Sequence, residues 1–269
     1  MHKNLLGTFF DDEEPEILSE SLAFKFAPVS NPSEFMTNLS KAEGPEHKLA
    51  MYQKGTTTLG FKFKDGIILA VDSRASMGTF DSSETVRKVI EINDHMLGTM
   101  AGGAADCQFW EENLARIVKL YELNTGERLS IAGASNLFSN MLYQYKGYGL
   151  SLGTMIAGSD DKGTHLYYCD NDGIRIVGDK FAVGSGGTYA YGVLDTYYRY
   201  DLSIEEAVAL GKRAISEATY MDSASGGVCR VYHVHSNGWT KLVEAEDNSE
   251  LIWKHRSRNR IDFYENEKL

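Results

Sequence analysis

The chain has 269 residues, 24% charged and 11% aromatic, enough to bury a core as one large domain or two small ones. Lysine and arginine total 27 against 38 acids, a formal charge of −11, so the basic footprint of a nucleic-acid binder is missing and that class is set aside. Three widely spaced cysteines (Cys107, Cys169, Cys229) argue against a disulfide framework or a CxxC zinc site and fit a reducing compartment.

The first stretch, residues 1–55, holds all four prolines (Pro15, Pro28, Pro32, Pro45) but only three of the 26 glycines. It carries nine acids against five lysines and no sustained apolar period, which predicts a leader with little to offset the entropy of ordering it. Its apolar run from Leu5 to Phe10 ends in Asp11-Asp12-Glu13-Glu14, unlike a secretory signal. No run anywhere approaches the ~20 apolar residues that span a bilayer. The expectation is a soluble intracellular protein with no membrane partner.

The body, 56–269, opens with strands. Residues 57–63 are rich in β-branched and aromatic residues, Lys64-Asp65-Gly66 is a turn, and 67–71 is a continuous apolar run, so a hairpin with a buried second strand is predicted. Asp72 ends that strand, where a charge is unfavourable unless paired. Alternation through Val86-Arg87-Lys88-Val89-Ile90 turns Lys88 inward; the plain reading of Asp72 and Lys88 is a structural ion pair. Trp110, Leu114, Ile117, Val118 and Tyr121 predict a helix closed by Asn124-Thr125-Gly126, and Ala134 to Tyr145 predicts a second, from Ser130 to Gly147. Two further hairpins turn at Asn171-Asp172-Gly173 and Ser236-Asn237-Gly238. Between them, Ser203-Ile204-Glu205-Glu206 is a capping box that opens another helix. Sheets packed on each other with helices outside is the simplest layering that buries every apolar face, giving an α+β sandwich. From about residue 249 a polar, mixed-charge tail follows.

Several motifs fall short of a site. Gly184-Ser185-Gly186-Gly187-Thr188 lies between a strand and a helix, but the third glycine of a dinucleotide fingerprint is replaced by Tyr189. Gly158 to Thr164 has phosphate-loop spacing without the lysine. His233 and His235 share a strand face but have no third ligand at motif spacing, so no metal is expected. Three threonines after Gly55 read, by themselves, as β-propensity.

Together these segments carry a resemblance. Gly55-Thr56-Thr57-Thr58-Leu59-Gly60-Phe61, Ala70-Val71-Asp72-Ser73-Arg74-Ala75 and Val86-Arg87-Lys88-Val89-Ile90 resemble the β subunits of the proteasome core particle. Leu97-Gly98-Thr99-Met100-Ala101-Gly102-Gly103-Ala104-Ala105-Asp106-Cys107, Tyr143-Gln144-Tyr145-Lys146-Gly147 and the run from Gly184 to Asp195 narrow it to the type-5, chymotrypsin-like branch. The likeness spans roughly 55–245. It implies the four-layer αββα fold of N-terminal-nucleophile hydrolases, no cofactor, and a location in cytoplasm and nucleus.

The resemblance also implies roles. Thr56 becomes the nucleophile once the leader is cut at Gly55–Thr56, its freed α-amine serving as base. Lys88 discourages protonation of that amine and Asp72 orients Lys88. The Gly102 N–H holds the oxyanion, while Ser185, Asp222 and Ser225 support the amine. Ala75, Ser76, Val86, Met100 and Ala104 match substrate-binding positions, apolar apart from Ser76, which suits cleavage after bulky hydrophobic residues. Implied partners are polypeptide substrates, other β subunits in a heptameric ring, an adjacent α ring and the opposite β ring. The alternative is a ring subunit without catalysis. Four positions depart from the family pattern: Lys54 for histidine, Ser76 for threonine, Met221 for arginine and Ala224 for tyrosine.

Overall fold

The computed structural model describes residues 55–77 and 80–255, all within one compact unit, Met51–Leu269. Residues 1–54 of the predicted leader, 1–55, and the end of the tail lie outside the described residues. In chain order the elements are β1 (Thr58–Phe63), β2 (Gly66–Val71), β3 (Ala75–Met77), β4 (Phe80–Ser83), β5 (Val89–Asn93), β6 (Met96–Thr99) and β7 (Ala101–Gly102). Helices α1 (Ala104–Thr125) and α2 (Ile131–Tyr143) follow, then β8 (Leu152–Asp160), β9 (Gly163–Asp170), β10 (Arg175–Val177) and β11 (Lys180–Val183). The chain continues through α3 (Gly187–Tyr197), α4 (Ile204–Met221), β12 (Val228–His235) and β13 (Gly238–Asp247); residues 248–255 are helical.

All three predicted hairpins form. β1 pairs β2 antiparallel from Thr58↔Val71 to Phe63↔Gly66, β9 pairs β10, and β12 pairs β13. Five strands make one sheet in the order β11-β1-β2-β12-β13, six make a second, β10-β9-β8-β6-β5 with β7 beside β8, and β3 and β4 pair as a small ribbon of their own. The phosphate-loop-like stretch is the turn of the β8/β9 hairpin, where Asp160 faces Gly163.

Side-chain alternation explains the layering. Ile67, Leu69 and Val71 of β2 point into a core shared with Leu97, Met155, Ala157 and Leu166 of the other sheet. Ile68 and Ala70, one step out of phase, pack with Leu194, Leu210, Ala214 and Ile215 of α3 and α4. A strand buried on both faces needs this continuous apolar run, because the period of two sends neighbours to opposite layers. Each fully buried leucine or isoleucine contributes about 1.5–3 kcal/mol. With α1 and α2 against the six-stranded sheet, the layers are helix, sheet, sheet, helix, as the resemblance implied.

Local signals set the helix ends. Gly126 terminates α1 at φ 71°, the left-handed conformation that glycine adopts without strain. Ser203 accepts from the Glu206 N–H while the Glu206 carboxylate accepts from the Ser203 N–H, completing the capping box. α2 stops at Tyr143, short of the predicted Gly147: Tyr145 and Lys146 donate to carbonyls only three residues back, a tighter winding that ends the α-helical ladder.

Candidate active site

The site lies where β1 begins and β2 ends. Register places Thr58 opposite Val71, so Thr57 lies beside Asp72. Backbone bonds fix this: Thr57 N–H donates to Asp72 Oδ1 at 2.9 Å, and Asp72 N–H donates to Thr57 O at 3.0 Å. Asp72 is fully buried. Its Oδ1 also accepts from Lys88 Nζ at 2.6 Å and its Oδ2 from Gly226 N–H at 3.0 Å. Three polar donors around one carboxylate explain how a charge survives there.

Lys88, 3% exposed, enters from the segment before β5. Burial pushes its ammonium below the ordinary lysine value, opposed by the Asp72 carboxylate. Burial likewise pushes Asp72 upward against the pull of Lys88. The two shifts draw the pair's proton affinities together, which suits a site that must hold or yield a proton.

Lys88 Nζ also donates to Gly55 O at 3.3 Å. Thr56 Oγ1 donates to the same carbonyl oxygen at 2.5 Å. The hydroxyl and the ammonium therefore converge on the peptide bond between Gly55 and Thr56. On the other side, Thr56 N–H donates to Ser185 Oγ at 3.1 Å. Ser185 Oγ and Ser225 Oγ both donate to Asp222 Oδ2 at 2.6 Å, and Thr57 Oγ1 lies 2.8 Å from Ser225 Oγ. A chain of polar groups thus runs from the Thr56 nitrogen through Ser185, Asp222 and Ser225 to Thr57, whose N–H returns to Asp72.

The Gly184–Thr188 motif belongs to this network. Gly186 N–H donates to Thr56 O at 3.3 Å. Gly184 has φ +101°, and a Cβ there would lie 2.2 Å from Thr56 O; one on Gly186 would lie 2.0 Å from Thr57 Oγ1. The glycines let the backbone pass directly over the threonines and position Ser185.

The remaining expected residues are distributed as follows. Met100 is buried, and its N–H donates to Lys88 O at 2.8 Å, tying the strand that leads to Gly102 to the lysine segment. Gly102, in β7, is half-buried with φ +104°. Val86 N–H donates to Ser73 O at 3.0 Å. Ala75 and Ser76 lie on β3, half-buried, and Ala104 opens α1, exposed. Despite the departures at Met221 and Ala224, Asp222 keeps its place: its N–H caps α4 by donating to Ala218 O, and its Oδ1 accepts from Ala224 N–H at 3.1 Å. Lys54 lies outside the described residues. His233 and His235 bond to Asp65 O and Thr240 Oγ1, and no group of residues fit to hold a metal ion occurs among the described residues. Sequence reasoning overlooked Thr57 and the Gly226 N–H. The small-residue run Ser225-Gly226-Gly227 was their one local sign.

An α+β sandwich carrying a threonine hydroxyl beside a buried lysine–aspartate pair defines the class. The family model described as proteasome subunit matches residues 52–234, and the chain belongs to that family. It is similar to "Proteasome subunit beta type-5-A" of Arabidopsis thaliana, 60% identical over 200 residues covering 74% of this chain and 73% of that one. It is 49% identical over 246 residues to "Probable proteasome subunit beta type-5" of Schizosaccharomyces pombe, covering 91% and 90%. To "Proteasome subunit beta type-8" of Homo sapiens it is 53% identical over 228 residues, covering 85% and 82%.

Proposed function

We propose that this site does the work of a proteasome β type-5 subunit: the chain is a threonine endopeptidase of the chymotrypsin-like kind, cleaving after bulky hydrophobic residues. One observation carries the assignment of residues: Thr56 Oγ1 and Lys88 Nζ meet at the Gly55 carbonyl oxygen. Thr56 Oγ1 attacks the Gly55 carbonyl carbon while Lys88 stabilises the oxygen that gains charge. The carbon–nitrogen bond then breaks, the hydroxyl proton ends on the released nitrogen, and water hydrolyses the resulting ester. The leader over 1–55 is lost and Thr56 acquires a free amine.

In the mature enzyme that amine is the base, held by Ser185 and through it by Asp222 and Ser225. An α-amine titrates near ~7.7–8.0, so a neutral fraction exists at cellular pH. Substrate then occupies the position of the departed Gly55, with its carbonyl toward Lys88 and the Gly102 N–H, and with its side chain among Ala75, Val86, Met100 and Ala104. Ser76 holds the substrate backbone. Subunits of this family assemble into core-particle rings. The finer reading is a heptameric β ring against an α ring and a second β ring, in cytoplasm and nucleus. The inactive-subunit alternative loses ground because the hydroxyl and the ammonium share the Gly55 carbonyl oxygen and the Thr56 nitrogen bonds to Ser185.

Thr56→Ala tests this. Mass spectrometry should find Gly55–Thr56 uncut, and particles containing the variant should not hydrolyse peptides after bulky apolar residues. Self-cleavage at that bond by the variant chain would refute the reading.

A further inference from the structure

Between Met221 and Val228 the loop reads Asp222-Ser223-Ala224-Ser225-Gly226-Gly227, with no side chain large enough to anchor it against a core. Yet it carries Asp222 and Ser225, and the Gly226 N–H that binds Asp72. Asn248 holds its last two residues, its N–H donating to Gly227 O at 3.1 Å and its Nδ2 to Gly226 O at 3.4 Å, and the rest of its grip comes from the chain after β2. Ser73 N–H and Arg74 N–H both donate to Gly226 O at 3.1 Å. The Arg74 guanidinium reaches further: Nη1 donates to Ser223 O at 3.0 Å and contacts Ser225 O at 3.4 Å. The loop closes on it so tightly that a Cβ on Gly226 would lie 2.4 Å from Arg74 Cζ.

Something must aim the guanidinium, since a free arginine side chain loses much rotamer freedom when fixed. Glu84 does so. Its Oε1 accepts from Arg74 Nε at 3.0 Å, while Asp81 Oδ2 lies 3.7 Å from the same nitrogen. Glu84 is also held in place through its backbone, because its carbonyl accepts from Ser73 Oγ, which in turn accepts from Val228 N–H at 2.7 Å. With Nε given to a carboxylate, the Nη1 edge of the planar guanidinium faces the two loop carbonyls.

We propose that Glu84 is a positioning residue for catalysis: through Arg74 it fixes the 222–227 loop, and so sets the distance from Asp222 to Ser185 and the Thr56 nitrogen. This rests on Thr56 being the nucleophile. Glu84 and Asp81 are half-exposed and Arg74 about a quarter exposed, so the ion pair contributes little to overall stability. Its effect is on geometry.

The test uses the assembled particle carrying Glu84→Gln, Arg74→Gln or both. Steady-state hydrolysis of an apolar-site peptide is read beside the rate of acylation by a threonine-reactive electrophile. Glu84→Gln should lower kcat and the acylation rate about two- to fivefold, the rate equivalent of an exposed ion pair, with KM changed less than about twofold. The double variant should be no slower than Arg74→Gln alone, because Glu84 acts through Arg74. If Arg74→Gln fails to assemble, Glu84→Asp decides in its place, and recovery of at least half the lost rate supports the clamp. Unchanged kcat and acylation in Glu84→Gln, or additive losses in the double variant, overturn it. Failure of the wild-type particle to be labelled at Thr56 would instead sink the parent reading.

Discussion

Two buried carboxylates, Asp72 and Glu111, show what separates a reactive centre from an ordinary interior. Both are completely excluded from solvent, and burial pushes both above the usual carboxylate value. Asp72 receives a lysine ammonium and two backbone N–H groups. Glu111, on α1 facing the six-stranded sheet, receives one hydroxyl, Thr154 Oγ1 at 3.0 Å, and its Oε2 has no hydrogen-bond partner among the described residues. Burial with a single hydroxyl partner therefore favours the neutral form of Glu111, whereas Asp72 faces a cation that favours its charged form. Desolvation alone does not make a site. Convergent donors beside the proposed nucleophile do.

Substitutions can break this contrast, and the largest effect is expected at the ammonium. Lys88→Met removes the donor on the Gly55 carbonyl, and hydrolysis should fall at least about 10²–10³-fold, the loss seen when one oxyanion donor is deleted. Peptide turnover and N-terminal mass spectrometry read both consequences. Next, Asp72→Asn leaves a buried ammonium without its anion, and thermal or denaturant unfolding should show a loss of about 3–5 kcal/mol. Ser185→Ala removes the acceptor of the Thr56 N–H, a single hydrogen bond, and acylation should slow about tenfold, near 1.4 kcal/mol.

Glu111→Gln has the opposite sign. Since the folded-state pKa is raised, the folded chain keeps a proton that the unfolded chain releases above its ordinary value of 4.5. The wild type thus loses stability as pH climbs from 4.5 toward the folded value. The amide carries no such penalty, so Glu111→Gln should be more stable by about 1 kcal/mol at neutral pH. That advantage should vanish as pH falls below 4.5. Unfolding midpoints across pH check it, and a stability difference between the two chains that does not change with pH would mean that Glu111 titrates in the fold as it does in the unfolded chain.

Much of the architecture was legible in the chain because its signals are local. The hairpin turns at Lys64-Asp65-Gly66 and Ser236-Asn237-Gly238, the Ser203 capping box and the apolar run of β2 each act within a few residues. β8, which lies at the centre of its sheet, escaped notice: Leu152 to Ser159 is buried almost throughout yet rich in glycine, serine and threonine, so no alternation marks it. Read by themselves, Thr56, Asp72 and Lys88 give β-propensity and a structural ion pair; it takes the resemblance over several segments to nominate them for catalysis.

The sequence by itself determined the strands and helices, the faces they bury and the residue types available for chemistry, because periodicity and turn preference depend on near neighbours. Only the tertiary structure decided that Gly55, Thr56, Asp72, Lys88, Ser185 and Asp222 meet, and that Arg74 and Glu84 hold the loop that completes them. The contacts of this network join residues up to 168 positions apart. They arise from sheet register and from the packing of four layers, quantities that no single stretch of chain encodes.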